Sequence, residues 1–153
     1  MQTNKMKITI EGCKSKKKHK ILEEAAQDFV LRLLSRRDIN KLDIRIEIKR
    51  KMDEDYLGCC YHLSKGRPSC FLIEILYNKD IYSTVSKLAH EMVHVKQYIT
   101  GELKHKGSGI SVWKGEVFDE KITDYWDLPW EIEAYGREVG LYTRYFNNQY
   151  LKY

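Results

Sequence analysis

A chain of 153 residues, 42% hydrophobic and 32% charged, has the size of a single domain, taken here as residues 1–153, and can bury one core without disulfide staples. Two prolines and no low-complexity tract exclude collagen-like and extended linker architectures. No stretch approaches the ~18 apolar residues of a membrane span, and no apolar run follows the first lysines as a secretory leader requires, so a cytoplasmic protein with no membrane partner is expected.

Residues 6, 8 and 10 are apolar and alternate with Lys7, Thr9 and Glu11, a period of two that predicts a short strand. A basic run follows, with Lys14, Lys16, Lys17, Lys18 and Lys20 around His19. It reads as a solvated loop entering a helix, or as a contact for phosphates in a nucleic acid. Leu22, Ala25, Ala26, Phe29, Val30, Leu33 and Leu34 recur at helical spacing and predict an amphipathic helix over about residues 19–36. Leu42, Ile44, Ile46 and Ile48 then alternate with polar residues in the clearest strand of the chain. Residues 56–63 and 69–76 read as two more strands, each preceded by a charged or Pro-containing turn. The four cysteines, at 13, 59, 60 and 70, are expected as reduced, packed thiols, because Cys59 and Cys60 would alternate across a strand and lack the spacing of a zinc knuckle.

A helix is expected from an N-cap at Ser83 or Thr84 to Thr100, with Gly101 ending it. Residues 101–129 have glycines at 101, 107, 109 and 115 and no sustained period, which predicts a loop or loose hairpin. Pro129 suits the first turn of a final helix over about residues 130–146.

The first of these two helices carries His90-Glu91-Met92-Val93-His94, an HExxH sequence. Residues four apart in a helix stand one turn above each other, so two imidazoles can grip one ion, and Glu91 sits beside the open position where a carboxylate can take a proton from zinc-activated water. Val85, Leu88, Ala89, Met92, Val95 and Ile99 form an apolar stripe, while His90, His94 and Gln97 occupy the other side. The bland alternative is a surface helix with two incidental histidines. A catalytic zinc needs a third ligand; the HExxHxxGxxH pattern is excluded, because Gln97 and Thr100 stand where its Gly and His belong. His62, His105, Glu131 and Glu133 remain. On the wheel of the last helix Glu131 lies near the middle of the apolar face, where an unpaired carboxylate is costly, while Glu133 points away with Arg137 as a solvated residue would. Glu131 is therefore the expected third ligand. Glu138, two turns later on the same face, is either a partner for a ligating histidine or a salt-bridged surface residue. Tyr135 is either an oxyanion donor or a core residue.

These residues resemble the gluzincin metallopeptidases, whose third ligand is a Glu opening an ExxA or ExxS helix, here Glu131-Ile132-Glu133-Ala134. The small minigluzincins are similar in size. Residues 90–97 with Trp113-Lys114-Gly115 and residues 129–134 look like small metallopeptidase-type proteins commonly encoded by bacteriophages and bacteria, for which the cytoplasm would be that of the host. The resemblance covers about residues 70–138. It implies a zinc metallopeptidase with His90, His94 and Glu131 as ligands and Glu91 as base, acting on peptide or protein substrates, and it implies that residues 69–76 form the strand beside the cleft. Two departures stand out: Tyr135 replaces the Asp expected four residues after the ligand, and Glu131 lies unusually far from His94.

The expected fold is α+β and zincin-like, with a small, mostly antiparallel sheet, an HExxH helix and a C-terminal ligand-bearing helix. The rival reading is a nucleic-acid-associated zinc protein whose metal is structural, using the basic run at residues 14–20. SprT-like proteins combine HExxH with DNA association, although they use a third His. A metal-binding toxin or toxin partner has no positive feature in the sequence.

Overall fold

In the computed structural model, residues 5–53 and 55–150 are described, apart from the side chains of residues 149 and 150. The chain runs β1 (Lys7–Glu11), α1 (Lys16–Leu33), α2 (Arg36–Ile39), β2 (Asp43–Lys49), β3 (Gly58–His62), β4 (Cys70–Leu76) and α3 (Ile81–Ile99). It continues through β5 (Leu103–Gly107), β6 (Ile110–Trp113), β7 (Glu116–Asp119), a 3-10 turn at Tyr125–Asp127, and α4 (Pro129–Tyr150).

The architecture is mixed α+β, but the main sheet is mostly parallel. Its order is β1-β2-β4-β3, with β1, β2 and β4 parallel and only β3 reversed. The expectation of a mostly antiparallel sheet is corrected for a topological reason. The helical crossover between β1 and β2 returns the chain in its original direction. The segment after β2 passes the place of β4 to reach the edge, so the charged turn near residue 53 does not make a β2–β3 hairpin.

Alternation decides which face is covered. Ile44, Ile46, Phe71, Ile73 and Ile75 are buried in one core with Leu22, Ala25, Phe29 and Val30 of α1 and Val85, Leu88, Met92 and Val95 of α3. The opposite face holds charge pairs, Lys49 with Glu74 and Arg45 with Glu11 across strands and Arg45 with Glu47 along β2, which tolerate solvent.

Helix starts fall where side chains satisfy free N–H groups. Ser15 caps α1 by accepting from Lys18 N, so the basic run forms the helix's first turns rather than a loop before it. Asp80 caps α3 through Tyr82 N, ahead of the Ser83 or Thr84 expected.

Residues 101–129 are more ordered than their lack of period suggests. β5, β6 and β7 form an antiparallel sheet whose inward Leu103, Trp113 and Phe118 pack near Trp130 of α4, with ring centroids 6.4 Å from Trp113 and 5.7 Å from Phe118. All four cysteines are free thiols, each half-buried. Among the described residues no helix is long and apolar enough to cross a membrane.

Candidate metal centre

α3 buries polar residues as well as its apolar stripe. His90, Glu91, His94 and Gln97 are all buried, as is Glu131 in the first turn of α4. Five buried polar side chains in one place require mutual partners or an ion. Pro129 opens α4, and its fixed φ suits that position. This start puts the Glu131 carboxylate beside the two imidazoles of α3.

One Glu131 oxygen faces each histidine, with Oε2 3.1 Å from His90 Nε2 and Oε1 3.3 Å from His94 Nε2. Ligand atoms of all three residues lie within 4.8 Å of one another, so the group could hold a metal ion. The outer ring nitrogens are engaged elsewhere. His90 Nδ1 donates to Glu138 Oε2 at 2.8 Å, and His94 Nδ1 donates to Gln97 Oε1 at 2.8 Å. Gln97 is itself fixed because its amide donates to Trp130 O at 2.9 Å and Glu133 Oε1 at 3.1 Å. Both imidazoles therefore turn Nε2 inward, and two such nitrogens facing a carboxylate need protons or a cation between them.

The electrostatics reflect that need. Burial opposes a charge on His90, but its hydrogen bonds to Glu131 and Glu138 outweigh it and raise its pKa to about 9. His94 is raised in the same way, against burial, chiefly by Glu131. Burial also works against the Glu131 carboxylate, yet the two histidines hold its pKa far below the usual range.

Glu91 behaves differently. Burial raises its pKa, with His94 and His90 pulling the other way, and it makes no side-chain hydrogen bond among the described residues. Glu91 lines two cavities that share His90, Gly58 and Tyr125, the second of which also reaches His94. Space for it comes from β3: a Cβ added at Gly58 would stand 2.8 Å from Glu91 Oε1.

No protein family, curated protein or solved structure matches the chain.

The structure brings His90, His94 and Glu131 together with Glu91 beside them, and it leaves out the other sequence candidates. His62 packs on Tyr98, with ring centroids 5.2 Å apart, and His105 bonds the Tyr98 hydroxyl. Glu133 is not solvated: it accepts from Lys96 and Gln97 and pairs with Arg137. An isolated helical wheel omits the neighbouring helix that fills this side. Glu138 is the partner of a histidine. Tyr135 packs edge-on against His90 at 4.4 Å. The strand beside the site is β3 rather than residues 69–76, since β4 lies inside the sheet and β3 forms the edge against α3.

Sequence reasoning missed Tyr125, whose hydroxyl donates to Glu131 Oε2 at 2.9 Å and which lines both cavities. Burial, with Tyr135 and Glu131, raises its pKa, so it stays a donor. The only cue was Asp124, which caps the 3-10 turn through Trp126 N. The basic run lies apart: Lys14 and Lys18 line another pocket, with Arg50 and Tyr77.

Proposed function

We propose that this chain is a zinc-dependent metallopeptidase of zincin-like fold, with His90, His94 and Glu131 as ligands and Glu91 as general base. The observation that carries this reading is the convergence of two imidazole Nε2 atoms and a carboxylate from a second helix at one buried point. Two nitrogens and one oxygen match a catalytic zinc set, which keeps a coordination position free, better than a closed structural one. Zinc held there would supply a Lewis acid that polarises a peptide carbonyl and acidifies water.

The chain's own groups then divide the work. Glu91, without a side-chain hydrogen bond among the described residues and opened to the cleft by Gly58, accepts the proton of the attacking water and passes it to the leaving amine. Its raised proton affinity suits that exchange. Glu138 and Gln97 keep the imidazoles turned inward. Tyr125 lines both cavities, and its hydroxyl would serve a developing oxyanion by turning its one proton from Glu131 Oε2 to that oxygen. The free edge of β3 offers backbone groups with which an extended peptide could pair.

The test is the zinc-to-protein ratio of the purified chain beside Glu131→Ala, followed by peptide hydrolysis by Glu91→Gln. One zinc in the parent, its loss from Glu131→Ala, and a Glu91→Gln protein that keeps zinc but cleaves nothing are expected. A folded parent that can neither retain nor be reconstituted with zinc would remove the enzyme reading.

A further inference from the structure

The inward face of the small sheet does not end at its apolar residues. In the β5–β6–β7 register His105 pairs with Ser111 and Ser111 with Phe118, and Glu120 follows two residues after Phe118, its N–H bonded to Gly109 O at 2.8 Å. Tyr98, His105, Ser111 and Glu120 form one chain of hydrogen bonds, with Tyr98 Oη to His105 Nε2 at 2.8 Å, His105 Nδ1 to Ser111 Oγ at 2.6 Å, and Ser111 Oγ to Glu120 Oε2 at 3.1 Å.

Its direction follows from the last link. A carboxylate only accepts, so Ser111 uses its single proton on Glu120 and takes one from His105 Nδ1. Burial lowers the His105 pKa, and the nearby His62 and His94 do so too, against Glu120. In the neutral ring this favours, Nε2 accepts from Tyr98. The Glu120 charge is not cancelled by His105, and no lysine or arginine pairs with it among the described residues.

Glu120 lines the same cavity of about 390 Å³ as His90, Glu91, His94 and Glu131, with Tyr98, Leu103 and Trp130 among its other walls. We propose that this cavity is the specificity pocket of the cleft and receives a lysine or arginine side chain of a peptide substrate, its cationic head paired with Glu120. The proposal rests on the metallopeptidase reading. A long basic side chain lays its methylenes on the apolar walls and brings its charge to the carboxylate. An acidic side chain would be repelled, and an apolar one would desolvate Glu120 without pairing it.

The test is digestion of a random peptide library by the zinc-loaded protein, with sequencing of the products around each cut. Lysine and arginine should be enriched roughly tenfold at one position flanking the cut. Glu120→Gln, which keeps an acceptor for Ser111, should abolish the enrichment without lowering Tm, and Glu120→Lys should turn the preference towards Asp and Glu. Cleavage with no basic preference, or a preference unchanged in Glu120→Gln, overturns the pocket and leaves the peptidase reading standing. If the parent cleaves nothing, the peptidase reading fails, and capture of the library by the zinc-loaded protein decides the pocket. Basic peptides retained by the parent and released by Glu120→Gln support it; their absence overturns it.

Discussion

Glu91 can stand where it does only because residue 58 has no side chain. Gly58 does not adopt a positive φ, so an alanine there meets no backbone strain and conflicts with Glu91 Oε1 alone. In the proposed metallopeptidase, Gly58→Ala should therefore keep the fold and the zinc while displacing the carboxylate, lowering kcat by on the order of a hundredfold. Equal zinc content with unchanged turnover would show that the proposed base does not depend on this clearance. Glu138 acts one bond further out, through the 2.8 Å contact with His90 Nδ1. Glu138→Gln keeps an acceptor but loses the charge, and it should weaken zinc binding by roughly 10–100-fold, read by competition with a chromogenic chelator; unchanged affinity would make Glu138 a bystander. The meeting of Glu131 with His90 and His94 was legible in the sequence because a carboxylate in the middle of an apolar helix face demands a partner. Gly58 and Tyr125 were not, because their roles come from distant side chains that no local pattern encodes.

At the level of elements, strong periodicity was a reliable guide and weak periodicity was not. α1, α3 and β2 declare themselves through long apolar repeats, whereas β5, β6 and β7 are four or five residues long and place only one or two side chains each against the core. Their order comes from turns and from Trp130. The β6–β7 connection puts Lys114 at φ 47 and Gly115 at φ 87, two successive positive values that match the twist of a tight hairpin. A Cβ at Gly115 would meet nothing within 4 Å, so the penalty of Gly115→Ala is conformational alone, about 1 kcal/mol. Urea denaturation should show that loss, and a neutral result would mean that the turn is set by docking on α4. Strand direction was misread for a related reason. A turn signal marks where the chain bends but not which neighbour the next strand joins, so the parallel β1-β2-β4 core was hidden behind the antiparallel edge.

The site also couples the whole fold to pH and, through the proposed zinc, to metal. His90 titrates at about 9 in the fold against 6.5 ordinarily, because Glu131 and Glu138 outweigh burial, so its protonation stabilises the chelated protein fully below pH 6.5 and is lost as pH rises through 9. Glu131 is shifted the other way, and its contribution is present above its ordinary 4.5 and declines as pH falls. The two shifts are largely one interaction, worth on the order of 3 kcal/mol. The chelated protein should therefore be most stable between about pH 4.5 and 6.5 and soften towards pH 9. Zinc requires the same imidazoles deprotonated, so the rise in Tm on adding zinc should grow over the pH interval in which the chelated protein weakens. Melting curves at pH 6, 7.5 and 9, with chelator and with stoichiometric zinc, read this directly. Curves that run parallel would mean that proton and metal do not compete for the three side chains, and that zinc binds elsewhere.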